Sequence, residues 1–320
     1  MVAPFALLFP GQGAQFVGMG RDLSENFPEA KSIFDQADAL LNAPLSKVMW
    51  QGPQETLTRT EYCQPALYVS SMAALAALQS VIARPERSEG RSNPFLTIAG
   101  AAGLSLGEYT ALAAAGAFSF EDGLRLVRLR GQAMEEAARL SPGTMASVMG
   151  LELEVLEPIC VEAGAQVANI NGPGQIVITG SPEAVQTASG RAKEKGAKRV
   201  VPLEVGGAFH SRLMEPAAAR LRKALESVEI GPLRFPVMSN VTGSPYPGPR
   251  QVRELLAEQL THPVRWEACV RSLVEAGVRN FLEVGAGTVL KGLCRRIAPE
   301  CEVLSAGTAQ EVREAASRWT

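Results

Sequence analysis

Ser105 lies between two glycines in the run Gly103-Leu104-Ser105-Leu106-Gly107, where an apolar stretch gives way to a helical pattern. A strand before and a helix after such a Gly-x-Ser-x-Gly run make a tight strand-turn-helix in which the serine hydroxyl is thrust into the open. The first helical N–H groups and the helix dipole then favour an oxyanion beside Leu106. The alternative is an ordinary turn of small residues. A serine hydroxyl needs a base, and the chain has only two histidines, His210 and His262. His262, in "QLTHPVRW", stands at a helix end before Pro263, where a surface or capping role is the plain reading. His210, in "GGAFHSRLM", follows the pair Gly206-Gly207 and precedes an amphipathic helix, a place from which a loop delivers a side chain to a cleft. His210 is the preferred base. No aspartate follows Asp122, so the Ser, Asp, His chain order cannot be met with Asp. A glutamate, an amide or a main-chain carbonyl must orient the histidine.

Other chemistries find less support. "GQGAQF" has Phe16 where a third dinucleotide-binding glycine belongs, and there is no Gly-Lys pair to build a P-loop. No His-Glu-x-x-His run or paired Cys spacing suggests a metal site, and none is expected. The five cysteines are odd in number and scattered; Cys63 lacks a glycine frame and reads as a packed thiol. A reducing, cytoplasmic setting fits them.

The elements that must hold these residues alternate apolar runs with helical patterns: strand 5–9, helices 28–41 and 65–82, strand 96–101 and helix 106–115. That order predicts parallel α/β layering. Residues 141–205 read instead as β-α-β-β-α-β, a ferredoxin-like unit. Helices 213–227, 252–259 and 266–276 and a last buried strand, 280–284, then return to the first pattern. The expected architecture is a discontinuous α/β domain, 1–140 and 206–320, hydrolase-like with a parallel sheet and nucleophile elbow, carrying an inserted small domain at 141–205. The stretch "RPERSEGRSNP" at 84–94 reads as an exposed loop.

With 320 residues, 46% hydrophobic and 20% charged, the composition is that of a globular protein, and a net charge of −2 gives no reason to expect nucleic acid. The N-terminus has no cationic leader pattern and reads as a strand rather than a signal peptide. The uncharged run 62–83 is rich in alanine and carries Pro65, so it reads as a buried helix rather than a membrane span.

The motifs in order resemble the malonyl-CoA:acyl carrier protein transacylases and the acyltransferase domains of polyketide and fatty acid synthases. They are "FPGQGAQFVGMG" (9–20), "QPALY" (64–68), "GLSLGEYTAL" (103–112), "LVRLRGQAMEEA" (126–137), "NINGPGQIVITG" (169–180), "GAFHSRLM" (207–214), "QLTHPVRW" (259–266) and "FLEVGAG" (281–287). The resemblance implies Ser105 as nucleophile, His210 as base, backbone N–H groups of Gln12 and Leu106 as the oxyanion hole, Arg130 as the clamp on the malonyl carboxylate, and Gln259 near both histidine and substrate. It further implies that a main-chain carbonyl near that glutamine orients the histidine. Gln64 joins the substrate-binding set through its motif, and Phe209 matches malonyl-selective members. From residues alone, Arg130 could equally be one of several solvated arginines in "RLVRLRGQ". Two departures stand out: Leu104 replaces the histidine that usually precedes the serine, and Ala286 replaces a frequent proline.

The implied activity is transfer of malonyl from CoA to the phosphopantetheine thiol of acyl carrier protein, supplying extender units for fatty acid synthesis. The expected protein is monomeric, with no cofactor and no membrane insertion. A serine thioesterase and a non-catalytic carrier-binding homologue are the alternatives. A basic group on the small unit, Arg191, Lys193, Lys195, Lys198 and Arg199, is the candidate surface for an acidic carrier.

Overall fold

The structure, a computed structural model, describes residues 4–83 and 98–318. The loop read at 84–94 lies outside the described residues. The first strand, β1 (Phe5–Phe9), is buried along its whole length, as the continuous run FALLF requires of a strand covered on both faces. Two short helices, α1 (Arg21–Asn26) and α3 (Leu45–Gln51), pack on α2 (Pro28–Leu41), and a third, α4 (Gln54–Thr58), packs on α5 (Thr60–Ile82), into which it leads. By length and composition α5 could cross a membrane, with a mean hydropathy of 1.5, but 78% of that window is buried inside the protein. It packs against α2 and the later helix Phe120–Leu140 rather than presenting an apolar surface.

The next strand, β2 (Ile98–Gly103), pairs parallel with β1 and feeds α6 (Leu106–Ala115), whose residues are all buried. Helix α7 (Phe120–Leu140) is capped by Ser119, whose Oγ accepts the Asp122 N–H at 3.0 Å. Its buried stripe includes Leu126, Val127, Arg130, Met134 and Ala137, the spacing of one helix face.

The chain then forms β3 (Thr144–Met149), α8 (Leu153–Ala163), β4 (Gln166–Gly172), β5 (Gln175–Gly180), α9 (Pro182–Glu194) and β6 (Arg199–Pro202). These strands make a four-stranded sheet of order β4-β5-β3-β6 in which every neighbouring pair is antiparallel. Its core, with Val148, Leu156, Ile178 and Val185, is separate from the main one. The free edge of β4 is fastened to a later segment by Ile170 N–H to Val264 O at 2.9 Å and Val264 N–H to Ala168 O at 2.8 Å.

After a 3₁₀ turn at Arg212–Met214 come α10 (Glu215–Glu226), α11 (Pro249–Glu258), α12 (Trp266–Glu275), β7 (Asn280–Val284), α13 (Val289–Ile297), β8 (Glu302–Ala306) and α14 (Ala309–Arg318). Strand 280–284 is therefore not the last, as the sequence reading had it: β8 extends the parallel sheet to the order β2-β1-β7-β8. Its apolar residues Val303 and Leu304 lie among polar neighbours and give a weak strand signal. Residues 96 and 97 of the predicted strand lie outside the described residues; at its other end β2 runs to Gly103, two residues past the predicted end, because Gly103 still pairs with Phe9.

Candidate active site

Ser105 occupies the junction of β2 and α6 with φ 52° and ψ −101°. A non-glycine residue in this region carries strain of about 1–3 kcal/mol and persists only where its surroundings fix it. The flanking glycines permit the approach. A Cβ on Gly103 would lie 1.8 Å from the Gly107 carbonyl carbon, and one on Gly107 would lie 2.1 Å from Phe9 O. Strand end, helix start and β1 are thus packed backbone to backbone, and the serine turns outward.

Ser105 Oγ is 2.8 Å from His210 Nε2, and His210 Nδ1 is 2.8 Å from the main-chain oxygen of Gln259. That oxygen can only accept, so Nδ1 carries the proton and Nε2 is free to accept the serine O–H. A main-chain carbonyl therefore orients the imidazole, the option that the missing aspartate left open. His210 itself has φ 57°. It is 4% exposed. Burial first, and then the Arg130 guanidinium, push its pKa down to about 4, so the ring is neutral and able to act as a base at neutral pH. His262, by contrast, is exposed at the end of α11, its Nδ1 2.9 Å from Glu258 O.

Arg130 is turned inward and is 1% exposed. The neighbouring arginines of α7 are used elsewhere: Arg125 pairs with Glu121, and Arg128 donates to Leu41 O at 2.8 Å. Arg130 Nη2 donates to Ser105 Oγ at 3.0 Å and to Gln259 Oε1 at 2.9 Å, and the guanidinium lies 5.4 Å from the Tyr109 ring centroid. Its Nε has no partner among the described residues. Burial lowers the Arg130 pKa, yet an arginine remains charged, so a buried cation with an unpaired donor stands beside the serine.

Gln259 joins these parts. Its main chain holds His210, its Oε1 takes Arg130, and its Nε2 donates to Ser105 O at 2.9 Å and to Glu108. Glu108, fully buried, also accepts from Tyr246 O–H and from Asn240 N–H at 3.1 Å. Burial raises its pKa to about 7 against these bonds and the Arg130 charge. Asn240 in turn accepts the Ser105 N–H on Oδ1 at 2.7 Å and donates from Nδ2 to Gly103 O at 2.8 Å.

Leu106 is the first residue of α6, where N–H groups lack intrahelical acceptors. Gln12 sits half-buried in the turn after β1; that turn runs against the elbow, since a Cβ on Gly11 would lie 2.3 Å from Leu104 O. Phe209 is buried next to His210. Gln64 lies on α5, fully buried, with Nε2 3.2 Å from Met134 Sδ, one turn along α7 from Arg130; its Oε1 has no partner among the described residues. Leu104 packs against the apolar cluster containing Val264 and Trp266. Cys63 is a packed thiol whose pKa burial pushes up to about 12.

Sequence reasoning did not single out Glu108, Asn240, Tyr109 or Tyr246. For Glu108 a signal existed: a carboxylate inside the otherwise apolar helix LGEYTALAAA must be exposed or partnered, and every position of that helix is buried.

The acyl transferase domain family matches residues 6–306 of this chain. The malonyl CoA-acyl carrier protein transacylase of Bacillus subtilis (strain 168) is 44% identical over 301 residues, 92% of this chain and 91% of that protein. The acyl-carrier-protein-S-malonyltransferase structure from Bartonella henselae superposes with a TM-score of 0.92 at 40% identity, covering 99% of both chains. A malonyl-transacylase solved in complex with a type II PKS acyl-carrier protein gives 0.91 at 37% identity, covering 98% of this chain and 99% of that one. The chain with this Ser105, His210 and Arg130 cluster belongs to the acyl transferase domain family, among the malonyl CoA-acyl carrier protein transacylases.

Proposed function

We propose that this protein moves a malonyl group from CoA to the phosphopantetheine thiol of acyl carrier protein through an ester on Ser105. The observation that carries the reading is the 3.0 Å contact from Arg130 Nη2 to Ser105 Oγ, in a serine already paired with His210 at 2.8 Å. A guanidinium in that place binds a free carboxylate and brings the thioester carbonyl of the same short acyl group to the nucleophile.

Ser105 Oγ attacks the thioester carbonyl while His210 Nε2 takes its proton, giving a tetrahedral oxyanion that the N–H groups of Gln12 and Leu106 stabilise. The C–S bond breaks, the imidazolium returns the proton to the CoA sulfur, and a malonyl ester remains. The carrier thiol then gives its proton to His210 as its sulfur attacks the ester carbonyl, and the serine leaves with that proton. Kinetics are ping-pong, and no cofactor enters. Gln259 sits between base and clamp, while Phe209 and Gln64 wall the acyl pocket.

In this reading the large unit, 1–140 and 206–320, is hydrolase-like, and 141–205 is a ferredoxin-like insertion, in agreement with the βαββαβ order and the β4-β5-β3-β6 sheet. The protein works as a cytoplasmic monomer on a soluble carrier in fatty acid synthesis. Mass spectrometry after mixing with malonyl-CoA alone tests the mechanism: a malonyl adduct mapping to Ser105 is expected. No adduct, or one on Cys63, sinks it. Rapid loss of the adduct to water would make the protein a thioesterase.

A further inference from the structure

The strain at Ser105 needs a holder, and one side chain brackets it from outside the elbow. Asn240 comes from the segment after α10, where Val237 bridges to Ala101 and Met238 N–H donates to Ala101 O at 2.9 Å. That pairing sets Asn240 beside the end of β2. There it is fully buried, accepting from Ser105 N–H at 2.7 Å and donating to Gly103 O at 2.8 Å. Its own main-chain N–H is fixed to Glu108, one turn into α6.

We propose that Asn240 is a positioning residue that holds Ser105 in its disfavoured backbone conformation and, by occupying the Ser105 N–H, leaves the oxyanion to Gln12 and Leu106. The inference rests on Ser105 being the nucleophile. An amide offers an acceptor and a donor from the same planar end without depending on its protonation state, which suits this bracket. The bond to Gly103 O is buried and the one to Ser105 N–H is part-buried, so removing the amide leaves the Gly103 carbonyl unsatisfied and frees the Ser105 N–H at the edge of the site. The geometry also differs from serine enzymes in which the nucleophile's own N–H serves the oxyanion hole.

Two variants test this. Asn240→Leu keeps the side chain's volume but offers neither acceptor nor donor; Asn240→Ala removes the volume as well. Quenched-flow acylation by malonyl-CoA gives a burst amplitude, which counts competent sites, and a rate constant per site. The expected result is a retained amplitude with a rate constant about 10- to 100-fold lower, the scale of a small misplacement of a reacting atom. The malonyl-to-acetyl preference should not move, because Arg130 is untouched. A lower amplitude with an unchanged rate constant would show a merely structural residue and overturn the proposal. If both variants fail to fold, hydrogen exchange on the wild type decides: slow exchange of the Ser105 amide is expected, and exchange as fast as an unprotected loop overturns it. A wild type that forms no ester on Ser105 fails the function itself, a result distinct from either.

Discussion

The polar cluster around Ser105 and the antiparallel sheet bury polar side chains in opposite ways. At the carboxyl end of the parallel sheet, Arg130, Glu108, Gln259, Asn240 and His210 are all at most 4% exposed, and each hydrogen bonds to at least one of the others or to Ser105. In the antiparallel sheet, Ser147 Oγ, Asn171 Oδ1, Gln175 Oε1 and Thr179 Oγ1 are buried without partners among the described residues. The second group is neutral, and a lone hydroxyl or amide oxygen costs about 1–3 kcal/mol at most. The first group includes charges, whose burial without partners would be far more costly. A network of this kind survives because it has a use, whereas the small sheet only has to pack, fasten β4 to Val264 and so steady the segment that carries the Gln259 carbonyl.

The severest way to break that comparison is to remove the base. We predict that His210→Ala slows acylation by about 10²- to 10⁴-fold, the usual worth of a positioned general base. His262→Ala, at an exposed helix end, should leave the rate within about twofold of wild type, since surface substitutions away from special features rarely cost more than about 0.5 kcal/mol. Single-turnover acylation of the two variants checks this, and equal losses would remove His210 from its role.

Arg130→Ala comes next. A malonyl carboxylate left without its guanidinium should cost about 2–5 kcal/mol in transfer, whereas acetyl-CoA offers Arg130 no anion and should react as before or faster. The malonyl-to-acetyl preference should fall by at least about tenfold, at 1.4 kcal/mol per decade. Arg130→Lys should restore part of it, because a point charge cannot replace the fork. An unchanged ratio of kcat/KM for the two thioesters would reduce Arg130 to a packing residue.

The pH profile gives a smaller but sharper signal. A buried imidazole whose pKa is pushed down to about 4 stays unprotonated through pH 6, so kcat/KM for acetyl-CoA should be flat between about pH 6 and 8. An ordinary histidine, at about 6.5, would lose about three quarters of its base form by pH 6. Acetyl-CoA is the right probe, since its acyl group has no charge for Glu108, with its pKa near 7, to sense. An acid limb with its midpoint near 6.5 would place His210 in contact with solvent.

The same contrast explains what could be read in advance. Helices 28–41 and 106–115 and strand 280–284 were legible residue for residue, because periodicity and flanking Gly, Pro or Asn define them. Pro65 misled the reading of α5: a helix start at proline is the usual preference, but the helix begins at Thr60, and Pro65 near its start forgoes only one N–H bond. At the site, Ser105, His210 and Arg130 stand in local patterns. Asn240 does not: "VMSNVTG" has no spacing that signals an amide, and its partner Ser105 is 135 residues away. Glu108 was read only as part of a helix, since its partners Tyr246 and Gln259 are brought to it by tertiary packing alone.

The smallest expected effect belongs to the basic group on the small unit. Arg191 is engaged with Glu162 at 2.9 Å, and this exposed pair dilutes it as a docking charge. Lys193, Lys195, Lys198 and Arg199 are exposed around the end of α9 and the start of β6. Strand β6 begins at this group and none of these four side chains bonds to a residue of the Ser105 cluster, so the charges act on a carrier through the screened solvent field. They can steer an acidic carrier but cannot touch the reacting thiol. Lys195→Glu with Lys198→Glu should therefore raise KM for carrier protein about two- to fivefold at low salt, lose that effect at high salt, and leave both kcat and KM for malonyl-CoA unchanged. A change in kcat would mean that the small sheet shapes the site more directly than its packing role implies, and no change in carrier KM would leave these residues as solvated surface charges.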